Sequence, residues 1–275
     1  MDWKKLISQT VGQEQLGSLT DFVQDKTNSV NAPIDDFYNE VRIILSLSSP
    51  TMISTDWHGS MNAIAIISST ENYFRSILGR MIILCPQSKK KAAENNINFG
   101  SVLWHPNESI ERGAFEHVSF SDSKKIIEMT RKYIGLELNK SDLVPILNEF
   151  NKVCELRHGI VHSARILAGK NALMLNLPSS SKEQFITIGF GQLQNIASIC
   201  TTLVVSYNQN LFEIMANRWA TSWRDSTWTT EIENEHFKKI WNVFHSKVDR
   251  TNNAIPETGT WIKCKNLIKA EYQLS

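Results

Sequence analysis

Residues 141–169 read SDLVPILNEFNKVCELRHGIVHSARILAG, and the spacing of apolar residues within this stretch decides the fold. Ser141-Asp142 supplies an N-cap, and Pro145 falls in the first turn, where its missing amide donor costs little. Leu143, Ile146, Phe150, Val153, Cys154, Val161, Ala164 and Ala168 then recur on one face at 3.6 residues per turn. The pattern predicts one helix running to Gly169, more than about six turns long. Arg157 lies in the middle of that apolar face. A guanidinium leaves water at a cost of several kcal/mol unless a partner restores its charge and hydrogen bonds. Such a local inconsistency marks a position where a functional site is expected.

The flanking sequence supplies further helices. Between Asp56 and Leu84 the residues Ile64, Ile67, Phe74, Ile77, Leu78, Met81 and Leu84 keep a helical period, and Pro86 gives a stop. Residues 99–120 carry Gly100, Pro106, Asn107 and Gly113 and read as an irregular connection, after which Ser121 to Tyr133 resumes a helix. Ala172 to Leu177 and the β-branched run Phe185 to Ile188, separated by a polar tract, predict a short β-hairpin. Gln192 to Trp219 is again helical, with Ile196, Ile199, Leu203, Tyr207, Leu211 and Ile214 in phase. The expected fold is therefore mainly α, a helical bundle with a short hairpin after the Arg157 helix.

The expected organisation is an N-terminal helical extension over 1–50, a central domain over 51–218 and a tryptophan-rich C-terminal extension over 219–275. A weak helical pattern near Phe37, Val41, Ile44 and Leu45 occupies the first, ending at Ser48-Ser49-Pro50. Trp223, Trp228, Trp241 and Trp261, with a helix over Glu231 to Val248, mark the last. Tryptophan suits a partner surface, and it suits packing back on the bundle equally.

Composition narrows the function classes. The chain has 275 residues, 41% hydrophobic and 21% charged, which places it with ordinary globular proteins and against wholesale disorder. A net charge of +1 provides no global basic field, so contact with nucleic acid would be local. Lys89-Lys90-Lys91 is the one compact basic cluster and reads as a solvated helix start. Cys85, Cys154, Cys200 and Cys264 are far apart and form no Cys-x-x-Cys pair, so they read as reduced core thiols. No apolar run is long enough for a membrane span, and the N-terminus lacks a signal-type apolar region, so a cytoplasmic protein is expected.

The chemistry centres on Arg157, His158 and His162. One reading makes Arg157 structural, paired with Glu71, Glu149 or another carboxylate in an internal salt bridge. A second makes His158 and His162, four apart on a helix, metal ligands with Glu155 as a third. The zincin signature His-Glu-x-x-His is absent. A third reading is metal-free phosphoryl chemistry. A histidine near neutrality exchanges protons, an arginine stabilises the pentacoordinate phosphate, and RNA supplies its own 2′-hydroxyl nucleophile. The histidines lie roughly 100 to 140° around the helix from Arg157. A convergent site would then need two copies meeting at a two-fold axis.

Arg157-His158-Gly159-Ile160-Val161-His162 resembles the R-x-x-x-x-H signature of HEPN ribonucleases, in which the residue after the arginine is commonly Asn, Asp or His. The earlier segment Ser69-Thr70-Glu71-Asn72-Tyr73-Phe74-Arg75 is similar to the first helix of that family, and the resemblance spans about residues 55–217. It implies a HEPN-like helical bundle that dimerises along the motif helices, with metal-independent RNA cleavage leaving a 2′,3′-cyclic phosphate and with no cofactor. Arg157 would hold the scissile phosphate and His162 would transfer a proton. His158 would contact RNA or act behind the reacting groups, and Glu71 would orient Arg157. Family members of this size are commonly toxins or abortive-infection effectors against phage, which implies an antitoxin or sensor as partner. Three rivals remain at this point: a HEPN-like module that binds RNA or dimerises without catalysis, an unrelated helical adaptor, and a metalloenzyme using Glu155, His158 and His162.

Overall fold

A computed structural model describes residues 6–7, 14–25, 29–54, 56–105, 110–138, 141–224 and 227–274. The chain divides into two compact units, Met1–Val30 and Asn31–Ser275. In the first, the described residues include a single-turn 3-10 helix, Leu19–Phe22, whose side chains are exposed. The second carries the fold, and the boundaries expected near 50 and 218 both fall inside it.

Its helices are α1 (Pro33–Ser46), α2 (Asp56–Leu84), α3 (Pro86–Ala93), α4 (Phe99–Trp104), α5 (Ser123–Met129), α6 (Val144–His162), α7 (Gly169–Met174), α8 (Phe190–Arg218), α9 (Thr230–Phe244), α10 (Lys247–Thr251) and α11 (Trp261–Glu271). The long α2 and α8 pack together, with α1 along α2 and α6 against both. Aromatic residues fill the junction: Phe74 meets Tyr207 edge-on at 4.9 Å and stacks on Phe120 at 5.8 Å. Each fully buried ring of this size contributes up to about 3 kcal/mol of transfer free energy. The buried Tyr207 hydroxyl is satisfied internally, by Thr130 at 2.7 Å.

Several expectations are met closely. The α2 and α8 helices cover the predicted spans, and α1 falls on Phe37 to Leu45 with Phe37 and Val41 buried. Pro86 ends one helix and begins the next, occupying the first turn of α3, where Lys89 and Lys90 project into solvent. The tryptophan-rich tail packs back on the bundle. Trp219 is fully buried against Phe237 of α9 at 4.9 Å, and Trp223, Trp228 and Trp261 lie against the same core. A cap fixes the return: the Asp35 carboxylate in α1 accepts from Ser246 Oγ at 2.7 Å and from the Lys247 amide at 3.0 Å at the start of α10.

Several expectations fail: α4 (Phe99–Trp104) lies within the connection expected to be irregular, and the N-cap of α6 is Leu143, with no side-chain cap, rather than Ser141-Asp142. The hairpin over 171–188 does not form, and no strand occurs among the described residues; Ala172, Leu173 and Met174, all strong helix formers, lie in α7 instead. What survives is one antiparallel bridge between Ile166 and Phe185. The motif helix is also shorter than predicted. It spans 19 residues and stops at His162 rather than near Gly169, because Ala164 and Arg165 adopt left-handed φ values of 48° and 71°. That reversal lets the Arg165 carbonyl accept from the Ile186 amide at 2.8 Å, and the Leu167 amide donate to Gln184 at 2.9 Å.

Candidate active site

Helix α6 packs against α8 and α2 and buries Leu147, Phe150, Val153, Cys154 and Ile160. This face is rotated from the predicted stripe, since Val161 is 43% exposed. Arg157 therefore sits at the edge of the interface, half-buried, rather than in its centre. Gly159 allows close packing within the motif: a Cβ there would lie 2.5 Å from Ile186 Cδ1.

Arg157, His158 and His162 all line one cleft of about 500 Å³. The His158 and His162 rings are exposed, with centroids 4.6 Å apart and planes tilted by 48°, on one helix flank as their spacing predicts. The expected angular divergence of Arg157 from the histidines does not separate them, because a long arginine reaches around the helix edge into the same space. The opposite wall comes from the start of α5, with Asp122 and Lys124, and the floor of one end from Lys170 and Met174 of α7. Lys124 and Lys170 carry no distinguishing signal in the sequence, and Lys170 lies on α7, a helix that the apolar pattern does not predict.

The cleft joins three permanent cations, Arg157, Lys124 and Lys170, with the carboxylates of Asp122 and Glu155. Glu155 is tied down, since Asn171 Nδ2 donates to its carboxylate at 2.6 Å and anchors α7 to α6. Asp122 is engaged as the N-cap of α5, accepting from the Lys124 amide at 2.8 Å. Among the described residues no hydrogen bond or ion pair engages Arg157. Neither proposed structural partner reaches it. Glu149 pairs with Lys152 at 2.7 Å, and Glu71 accepts from Arg75 at 2.8 Å and from the buried Phe120 amide at 3.1 Å. The expected role of Glu71 in orienting Arg157 is thus not seen, and Glu71 instead fastens the 118–120 segment to α2.

Cys154, one turn before Arg157, is buried, and burial pushes its thiol pKa far up, with the nearby Cys200, Glu71 and Asp122 adding to the rise and Arg157 opposing it. The thiol at the cleft base is therefore held protonated and is a poor nucleophile. Glu155, His158 and His162 do not form a metal site, and among the described residues no group of three His, Cys, Asp or Glu side chains does. The arrangement offers an unpaired guanidinium for an anion and two accessible imidazoles for proton exchange. No family model, curated protein or solved structure matches the chain.

Proposed function

We propose that the chain is a metal-independent endoribonuclease of the HEPN type. The observation that carries this reading is the placement of the unpaired Arg157 guanidinium beside the exposed His158 and His162 rings in one open cleft. A charged side chain left half-buried without a partner is poised for an anionic ligand, and the phosphodiester is the anion for which neighbouring imidazoles are useful.

In the proposed reaction His162 takes the proton of the ribose 2′-hydroxyl. The 2′-oxygen attacks the adjacent phosphorus, and the P–O5′ bond breaks. The 5′-oxygen leaves with a proton from solvent or an imidazolium, giving a 2′,3′-cyclic phosphate and a 5′-hydroxyl. Arg157 holds the non-bridging oxygens as charge builds on them. His158, Lys124 and Lys170 bind the flanking backbone. Two copies meet along α6 and α7, where Val161, Leu173 and Met174 are exposed. Such an enzyme acts in the cytoplasm as a toxin or anti-phage effector and is restrained by an antitoxin or sensor until needed. No helix among the described residues is long and apolar enough to cross a membrane.

The test is incubation of total cellular RNA with purified wild type, Arg157→Ala and His162→Ala in EDTA. Cleavage by wild type alone, with both variants folded, supports the proposal. RNA binding by all three without cleavage favours the non-catalytic module.

A further inference from the structure

Immediately beyond the motif helix, Arg165 places its guanidinium over the ring of Trp57, with Cζ 4.4 Å from the ring centroid. Trp57 opens α2 and remains 54% exposed, although tryptophan is among the side chains with most to gain from burial. One side of the indole is thus braced by a cation while much of the ring stays in water.

Both partners are held in place by backbone, not merely by each other. Arg165 adopts φ +71°, a conformation that costs a non-glycine residue about 1 kcal/mol or more. It is pinned there by its amide donating to Gly159 O at 3.1 Å and its carbonyl accepting from Ile186 at 2.8 Å. The Trp57 turn is fixed from below by Gly59, where a Cβ would lie 1.7 Å from the Ile188 carbonyl oxygen. Residues 186 and 188 of one extended segment therefore clamp both sides of the pair. Arg165 follows His162 by three residues, so their Cα atoms are within about 11 Å.

We infer that Trp57, braced by Arg165, is a stacking platform for an unpaired base of the RNA that enters the cleft. This rests on the ribonuclease reading and specifies its substrate as single-stranded RNA or a loop. A rigid aromatic face accepts any unstacked base. A base inside a duplex presents no free face, so paired RNA gains nothing from the platform.

The experiment uses the full chain carrying His162→Ala, which prevents turnover. Binding is measured by anisotropy with a fluorescein-labelled purine-rich single strand and with the same strand annealed to its complement. Adding Trp57→Ala is expected to weaken single-strand binding by about 5- to 150-fold, the range for loss of one base–aromatic stack, and to leave duplex binding unchanged. Adding Trp57→Phe keeps a ring and should retain most of the affinity, which separates stacking from a folding defect. Single-strand affinity unchanged by Trp57→Ala, while Arg157→Ala weakens it, overturns the platform and leaves the ribonuclease reading standing. If Trp57→Ala instead leaves RNA binding intact and lowers the sedimenting mass, the face belongs to a protein contact and the platform is equally overturned. No binding of either RNA by the parent, together with no cleavage by wild type, overturns both.

Discussion

Arg157 and Glu71 show how two charged residues near α6 divide into different kinds of work. Glu71 is buried and accepts from Arg75 and from the Phe120 amide, so removing it strands a buried donor and a cation. Glu71→Ala is expected to destabilise the protein by about 1 to 3 kcal/mol, read as a lower denaturant midpoint. Arg157 has no such partner among the described residues, so Arg157→Ala should leave the midpoint nearly unchanged while cleavage is lost. A large loss of stability in Arg157→Ala would show that the guanidinium is structural after all. The sequence made Arg157 conspicuous because a charge interrupts an apolar period. It marked Glu71 as a candidate salt-bridge partner of Arg157 and, through resemblance, as its orienting group, but the contact that defines Glu71, a backbone amide 49 positions away, leaves no trace in local spacing.

At the scale of elements, the decisive feature is the end of α6. Apolar periodicity carries on through Ala164 and Ala168, yet the chain turns left-handed at 164 and 165 because the following segment pairs with residues 184–186. Here a tertiary contact overrides a local pattern, and no glycine is present to announce it. Ala164→Gly should stabilise the protein by about 1 kcal/mol by relieving the positive φ, whereas in a continuing helix it would destabilise it by a similar amount. A thermal or denaturant melt reads the sign directly. The same kind of override explains α7. Residues 172–177 were legible as apolar, but whether such a short run becomes strand or helix depends on where its neighbours lie. The buried Asn171 fixes that choice by docking on Glu155. The long helices were legible because their period persists over many turns. The cleft was legible only on the α6 side, since its other walls come from segments whose placement is a property of the packed bundle.

In the whole molecule, the C-terminal helices complete the core rather than extend from it. Their anchor is Glu233, 7% exposed, which pairs with Arg224 at 3.1 Å, Lys269 at 3.2 Å and the equally buried Lys265 at 3.3 Å. Burial alone would raise the Glu233 carboxyl, but hydrogen bonds from Lys269, Arg224 and Lys265 outweigh it and hold the pKa below its ordinary value of 4.5. A carboxyl depressed in the folded state contributes stability above its ordinary pKa and loses it as pH falls through the folded value. Stability should therefore fall as pH drops below about 4.5, and Glu233→Gln should flatten that part of the profile while lowering stability at neutral pH. An unchanged acid limb would remove Glu233 from this role. The most direct test of the central claim, that this bundle cuts RNA through Arg157 and His162 using the ribose hydroxyl, is the chemistry of the product ends. Wild-type digestion in EDTA is predicted to yield 2′,3′-cyclic phosphates and 5′-hydroxyls; products with 3′-hydroxyls and 5′-phosphates, or cleavage that persists in Arg157→Ala and His162→Ala, would contradict it.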